Sequence, residues 1–249
     1  MGIAASLLAC RRVTAFVAVA AAVCAWFLTA PHLARIGLWP AIVLVSVAII
    51  PGTLLLVLVA LPLWDRRWLF IAVVVLALAA FLLTIADLGL AANFAKLWAA
   101  VFAGWAFLRL FERLSWVVLV AFVIPLVDII SVWKGPTHSI TQHHFGVYTA
   151  VAIAFLVPGG GAAYLGPPDI LFYALFLAAA AHWNLRVGWT WLATTFMYGF
   201  TVIIATAFEV GGLPALPFLS FGFLAANADL LWRAMRPSAD SSESSPASS

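Results

Sequence analysis

The sequence contains very little charge. Only 8% of its 249 residues are Asp, Glu, Lys or Arg, whereas 66% are hydrophobic. A soluble domain of this size carries roughly a quarter charged residues, because its surface must be solvated by water. Too few charges are present here to cover a water-facing surface. The composition therefore predicts a protein whose surface is solvated by lipid.

Cysteine and clustered basic residues are also scarce. Cys10 and Cys24 lie in or beside one apolar segment, and they give neither a disulfide framework nor the spacing of a metal site. The formal net charge is +3, but the basic residues are scattered between apolar runs and form no stripe along one face. These patterns exclude a disulfide-rich domain and do not indicate nucleic acid as a partner.

Long apolar runs make up most of the chain. A helix that spans a bilayer needs about 20 predominantly apolar residues. We therefore predict an all-α integral membrane protein with about eight transmembrane helices, in a single polytopic domain over residues 1–236. The Ser-rich segment 237–249 is predicted to be a disordered tail. The predicted spans are 13–30, 37–64, 68–88, 92–110, 115–133, 166–183, 188–208 and 213–233.

Three segments complicate this simple pattern. The second run carries Pro51-Gly52, where we expect a kink or a tilt. Residues 144–158 are apolar but short for a span and rich in Val, Ile, Phe and Tyr. We interpret them as a re-entrant or strand-like stretch, and a ninth span is the alternative. The first run could instead be a signal peptide, although an anchor that stays attached is the simpler interpretation.

The distribution of basic residues predicts an orientation. Cytoplasmic loops of membrane proteins carry an excess of Lys and Arg. If the chain has eight spans and a cytoplasmic N-terminus, most Lys and Arg residues fall on the cytoplasmic side. We therefore expect this orientation. The excess of Arg over Lys and the Ala-rich helices favour a prokaryotic plasma membrane. The inner residues are Arg11, Arg12, Arg66, Arg67, Arg109, Arg113, Arg186, Arg233 and Arg236, and the outer ones are Arg35, Lys96 and Lys134.

Two aspartates lie within predicted spans. Asp128 is late in the run 115–133, and Asp169 is near the start of the next run. Placing an ionisable group in a membrane costs free energy, so each aspartate is expected to have a functional or structural role. Successive helices that run in opposite directions would bring the two carboxylates to similar depth. Such a pair can do acid–base chemistry on a shared water, because repulsion disfavours double ionisation and one carboxyl group then keeps a proton.

The last apolar run opens with closely spaced prolines. Pro214 and Pro217 bracket Ala215 and Leu216. Prolines this close cannot continue a helix, and they leave backbone groups unpaired. Such a stretch can bind an extended peptide through its main chain, by strand addition. From these residues alone, a proton-coupled transporter explains the aspartates at least as well as a protease does.

Together, and in this order, these features resemble the presenilin and signal peptide peptidase family of intramembrane aspartyl proteases. That family carries one catalytic Asp on a helix, a G-x-G-D motif at the start of the next helix, and Pro-Ala-Leu at the start of the last. Asp128 in VDIISVWKGP matches the first feature, and Asp169 in LGPPDILFYALF matches the second. Residues 214–216 match the third. The similar part is the C-terminal half, 115–233, whereas the N-terminal spans, 13–110, match only as apolar helices.

The resemblance implies an aspartic endopeptidase that cleaves transmembrane helices of other membrane proteins. Asp128 and Asp169 would be its catalytic pair, and no cofactor or metal would be needed. Its partners would be substrate helices and the lipid bilayer. The residues that would shape the substrate site are Gly166, Pro167, Pro168, Pro214, Ala215 and Leu216.

The sequence departs from the family pattern in some positions. Pro168 replaces the second glycine of G-x-G-D, and proline fixes φ and removes a donor where glycine permits close approach. Val127 stands where the family usually has Tyr, and four predicted spans rather than five precede Asp128. A catalytically inactive, helix-binding relative and a proton- or ion-coupled transporter therefore remain alternatives.

Other polar residues have simpler explanations. His138, His143 and His144 cluster in a loop, but no Cys or carboxylate lies beside them to complete a metal site. Asp87 and Asp229 lie near span ends, where water is within reach. We expect neither a metal nor a catalytic role for these residues.

We predict that the connection between Asp128 and Asp169 lies outside the cytoplasm. A topology reporter fused near His143 should then report a non-cytoplasmic position, and one fused near Arg109 should report the cytoplasm. The resemblance relates this orientation to the signal peptide peptidase arrangement, which favours substrates with a cytoplasmic N-terminus. A cytoplasmic signal near His143 would rule the orientation out.

Overall fold

The described part of the chain consists of nine helices and one β-hairpin. The computed structural model describes residues 3–134, 145–208 and 213–235. The long helices coincide with the apolar runs that are predicted to be spans. The elements are α1 (Ile3–Thr29), α2 (Leu38–Leu63), α3 (Leu69–Ile85), α4 (Gly89–Leu108), α5 (Leu114–Lys134), α6 (Phe145–Val151), β1 (Ile153–Val157), β2 (Gly161–Leu165), α7 (Pro167–His182), α8 (Val187–Ala207) and α9 (Leu216–Met235).

Many of these helices have the length and surface of membrane spans. Five are long and apolar enough to cross a membrane: Cys10–His32, Leu38–Leu63, Gly89–Leu108, Leu114–Ser131 and Val187–Ala207. Helices α3 and α7 are apolar but shorter, with 17 and 16 residues. Large apolar side chains such as Val47, Ile71 and Phe122 are exposed, as contact with lipid requires. The helices therefore indicate a multi-pass membrane protein, and the count of eight spans stays a prediction.

Helix α2 is irregular at the position where the sequence predicts a kink. Its hydrogen bonding changes from α-helical to π-helical over Val45–Ile49, directly before Pro51. Proline has no N–H, so the carbonyl group of Val47 loses its usual helical donor. The wider turn shifts the pairing, and Ile50 N–H bonds the carbonyl oxygen of Val45. The irregularity thus has a local cause.

Several of the basic helix ends lie together at one end of the bundle. Arg11 near the start of α1 lines a recess with Trp64, which follows α2. The guanidinium group of Arg109, after α4, donates a hydrogen bond to the carbonyl oxygen of Arg66 at 3.4 Å. The ring of Trp64 also packs on His182, the last residue of α7, with centroids 5.0 Å apart. These contacts agree with the alternation of spans that the orientation prediction assumes.

The apolar stretch 144–158 contains a strand, in agreement with the strand-like interpretation. Strand β1 pairs with β2 in an antiparallel hairpin, with Ile153 opposite Leu165. The turn between them needs glycine, because Gly159 and Gly160 have φ angles of +84° and +89°. The prediction of an all-α fold is therefore incomplete, because it omits this two-stranded sheet. Strand β2 leads directly into α7.

Side chains from two helices attach the hairpin to the bundle. The side-chain amide of Asn93 on α4 donates to the carbonyl oxygen of Ala154 at 3.0 Å and accepts from its N–H at 2.7 Å. The indole N–H of Trp26 on α1 donates to the carbonyl oxygen of Leu156 at 3.0 Å. Backbone groups away from water must be paired, so these bonds explain a buried asparagine in an apolar span.

Helix α7 lies at the centre of the bundle. It contacts α4, α5, α8 and α9, and its residues 173–180 are completely buried. The approach of α4 is closest at Gly104. A Cβ atom added there would overlap the carbonyl oxygen of Leu171 and would lie 3.1 Å from Cβ of Ala174. The absence of a side chain at Gly104 thus sets the distance between α4 and α7.

We expect Gly104→Ala to lower the free energy of unfolding by about 1–3 kcal/mol, because α4 and α7 must separate to admit the methyl group. Gly52→Ala on α2 is the matched control, since no atom lies within 4 Å of the added Cβ. It should be neutral, or more stable by about 0.5–1 kcal/mol through helix propensity. Unfolding of both variants in detergent measures the difference. Equal stability of the two would contradict the close approach.

Candidate active site

Asp128 lies near the C-terminal end of α5, one turn after Pro125. The proline interrupts the hydrogen bonds of the helix at that point. Oδ2 of Asp128 accepts a hydrogen bond of 3.0 Å from the backbone N–H of Leu216, the first residue of α9. The N-terminus of a helix carries unpaired N–H groups and partial positive charge. It is therefore a favourable place for a carboxylate.

The Pro-Ala-Leu segment forms the start of α9. Pro214, Ala215 and Leu216 are all buried. Pro217 occupies the second helical position and has no N–H to donate, so the N–H of Leu216 is the donor nearest the helix start. That donor is already bonded to Asp128. The N–H of Leu216 is therefore not available to a substrate, and the predicted substrate-binding role of the segment stays a prediction.

Asp169 is the third residue of α7, and it is held by the residue before that helix. Its Oδ2 accepts a hydrogen bond of 3.0 Å from Gly166 N–H, and its own N–H donates to the carbonyl oxygen of Gly166 at 3.1 Å. Gly166 is close to this carboxylate, because an added Cβ would lie 3.3 Å from Oδ2. The arrangement is the carboxylate half of a capping box, with glycine at the N-cap.

Pro167 and Pro168 occupy the first two positions of α7. At these positions a helical N–H has no partner within the helix, and the fixed φ of proline suits a helix start. Pro168 is therefore compatible with a regular helix beginning before Asp169. The departure from G-x-G-D does not disturb the position of the carboxylate-bearing residue on its helix.

The two aspartates are neighbours in the structure. Helices α5 and α7 are in contact, and the charge of Asp128 acts on Asp169. The charges of both carboxylates also act on the hydroxyl of Tyr198 on α8. The structure thus brings together, between α5, α7 and α8, the two residues that the sequence predicts as a pair.

Three tyrosines, Tyr148, Tyr173 and Tyr198, lie near Asp169 or on its helix. Burial, and to a lesser extent the charge of Asp169, raises the pKa of Tyr148 on α6 to about 12. This phenol therefore stays protonated at physiological pH. The hydroxyl of Tyr173, one turn after Asp169, pairs with Oγ1 of Thr195 at 3.3 Å. Sequence reasoning missed all three tyrosines, because a phenol in an apolar run is usually part of the packing and carries no motif.

An apolar groove reaches the start of α7. It is a cavity of about 970 Å³ between α3, α4, α6 and α7. Its walls include Phe81, Phe107, Pro167 and Pro168, and Lys96 is the charged side chain among its described lining residues. The groove is therefore suited to an apolar occupant that extends to the residues beside Asp169.

The threonines of α8 form hydrogen bonds within the protein. Thr194, Thr201 and Thr206 each donate to a carbonyl oxygen one turn earlier, at 2.7, 2.8 and 3.0 Å. Thr190 accepts a hydrogen bond of 2.8 Å from the side-chain amide of Asn227. A transporter is expected to direct further polar groups into a central cavity. These hydroxyls are paired instead between or within helices.

The structure describes three of the remaining sequence candidates, Val127, Asp229 and Asp87. The side chain of Val127, where the family usually has Tyr, is 55% exposed. Asp229 forms a two-pronged ion pair with Arg186, with both distances 2.8 Å, in agreement with a structural role. Asp87 lies in the turn between α3 and α4. His138, His143 and His144 fall outside the described residues, and the described ones contain no cluster of three potential metal ligands.

Comparison of the chain with protein-family models, with curated proteins and with solved structures found no match in any of the three. The functional argument therefore depends on the residues and their geometry.

We predict that Asp128 stabilises the start of α9. Asp128→Ala leaves the N–H of Leu216 unpaired and should lower the free energy of unfolding by about 1–3 kcal/mol. Asp128→Asn keeps an acceptor oxygen, so its free energy of unfolding should fall by clearly less than that of Asp128→Ala. Detergent unfolding of the two variants beside the parent provides the measurement. Equal losses in both would mean that the hydrogen bond contributes nothing to stability.

Proposed function

We propose that this chain is an intramembrane aspartyl protease with Asp128 and Asp169 as its catalytic pair. The observation that carries the proposal is the proximity of these two carboxylates, with the start of α9 bonded to one of them. The substrates would be transmembrane segments of other membrane proteins. The proposal includes eight spans in a presenilin-like fold, a cytoplasmic N-terminus and a prokaryotic plasma membrane.

The chemistry needs one ionised and one protonated carboxyl group. The ionised group takes a proton from a water molecule while the water oxygen attacks the peptide carbonyl carbon. The protonated group donates to the developing oxyanion. Collapse of this intermediate breaks the C–N bond, and a proton passes to the leaving amine. No cofactor is required in this sequence of steps.

The substrate must be extended where it is cut, because helical hydrogen bonds bury its peptide groups. The outer edge of β1 is already bonded by Asn93 and Trp26. The described sheet has only two strands, and β2 continues through Gly166 into α7, so the chain leads from this strand to Asp169. We propose that the unwound segment pairs along β2, while its apolar remainder lies in the groove that ends at Pro168.

The two alternatives receive less support from the described residues. A transporter would use polar groups of α8, but its threonine hydroxyls are bonded within the protein. An inactive relative was suggested by Pro168. The prolines suit the helix start, so this departure gives no structural reason for inactivity.

We expect the purified protein in liposomes to cleave a model single-span substrate. Asp128→Asn and Asp169→Asn should each lower the rate by at least about 100-fold, because each removes one acid–base group. Both variants keep an acceptor oxygen for the helix start. Their folding can therefore be checked by the unfolding measurement described for Asp128.

Pro168→Gly restores the family pattern and is the informative additional variant. It should change the rate by less than about tenfold, because the helix start does not depend on the proline. Cleavage only by Pro168→Gly would mean that the natural sequence is inactive. No cleavage by either protein, across several substrates, would reject the protease in favour of a helix-binding relative.

A further inference from the structure

Tyr198 carries a buried hydroxyl that has no partner. The residue lies on α8 and is 1% exposed. Its hydroxyl forms no hydrogen bond with any of the described residues. Buried hydroxyls are nearly always paired, because an unpaired one loses its hydration without compensation. The cost of an unpaired hydroxyl is higher in a bundle surrounded by lipid, because lipid tails offer no hydrogen-bond partner either.

The neighbouring Tyr173 provides a direct contrast. It is also completely buried, and the two rings lie 5.8 Å apart with an angle of 38°. The hydroxyl of Tyr173 is paired with Thr195, which precedes Tyr198 by one turn of α8. Helix α8 therefore supplies a partner for one phenol and not for the other. The two residues are thus both buried phenols in ring contact, and they differ in hydrogen bonding.

Tyr198 lies beside the carboxylate site, because its ring packs on Tyr173, which follows Asp169 by one turn of α7. The charge of Asp169 acts on the Tyr198 hydroxyl most strongly, and that of Asp128 acts on it as well. Among the described residues, the titratable groups that act on it are these two carboxylates and Tyr173. A phenol O–H directed at this site can donate to whatever lies between the carboxyl groups.

Close packing of the next residue fixes the position of Tyr198. A Cβ atom added to Gly199 would lie 2.8 Å from the carbonyl oxygen of Ser46. Ser46 belongs to the π-helical turn of α2, so this irregular turn packs directly on α8 beside the tyrosine. The backbone beside Tyr198 is thereby held against α2, and the ring itself packs on Tyr173.

From this geometry we propose that the Tyr198 hydroxyl is a third functional group of the site, donating to the water or peptide oxygen held between Asp128 and Asp169. Its role toward a peptide rests on the proposed protease function, whereas its contact with the carboxylate site does not. During cleavage the hydroxyl would stabilise the developing oxyanion, and no atom of Tyr198 would be consumed.

Cleavage kinetics test the role toward substrate. Tyr198→Phe should lower kcat by about 10- to 100-fold with KM changed less than about threefold, because the hydroxyl acts on charge that develops in the transition state. Tyr173→Phe, the control, should lower kcat by less than about threefold. Unfolding of Tyr198→Phe and Tyr173→Phe in detergent checks that both variants keep the fold. Equal kcat values for Tyr198→Phe and the parent would overturn the catalytic role.

Infrared spectroscopy tests the contact without any cleavage. The C=O stretching band of the protonated carboxyl group can be assigned with Asp128→Asn and Asp169→Asn. It should move to higher frequency in Tyr198→Phe, because a hydrogen-bond donor to the carboxylate site is lost, and it should stay in place in Tyr173→Phe. An unmoved band in Tyr198→Phe would overturn the contact. If the band moves in Tyr198→Phe but the parent protein cleaves no substrate, the protease is rejected and the contact is established.

Discussion

Lipid cannot pair with backbone N–H and C=O groups, and this constraint governs the structure. Helix ends and strand edges inside the bundle are therefore paired most favourably by groups of the protein itself. The N–H of Leu216 donates a hydrogen bond to Asp128, and the N–H of Gly166 donates one to Asp169. The backbone N–H and C=O groups of Ala154 both pair with the side-chain amide of Asn93. The polar residues that are costly in a membrane are thus the ones that complete the backbone hydrogen bonding.

The same constraint links the stability of the fold to the proposed chemistry. Each carboxylate is held by a backbone N–H close to the start of a helix, which fixes its position before any substrate arrives. Preorganised groups of this kind need little rearrangement during reaction. Replacement by alanine therefore changes structure and chemistry together. Replacement by asparagine separates the two, because the amide oxygen still accepts the bond while the acid–base function is lost.

Local chemistry explains why some parts of the site were predictable. Asp128 and Asp169 stand out because a carboxylate in an apolar run is rare, and proline spacing marks the start of α9. The structural effect of Pro168 could not be predicted from the motif alone. Its effect depends on its position in the helix, and at the second position the missing N–H costs nothing. The strand within 144–158 was foreseen from its β-branched and aromatic residues, but its partner was not.

The sequence by itself determined the apolar helices and the two carboxylates within apolar runs, because composition and the 20-residue length of a span are local properties. Tertiary structure alone decided which groups meet. The contacts of Asn93 with Ala154 and of Asp128 with Leu216 join residues 61 and 88 positions apart. The unpaired hydroxyl of Tyr198 is visible only when the partner of every neighbour is known. Hydrogen bonds between distant segments depend on helix packing, and no local pattern in the chain records them.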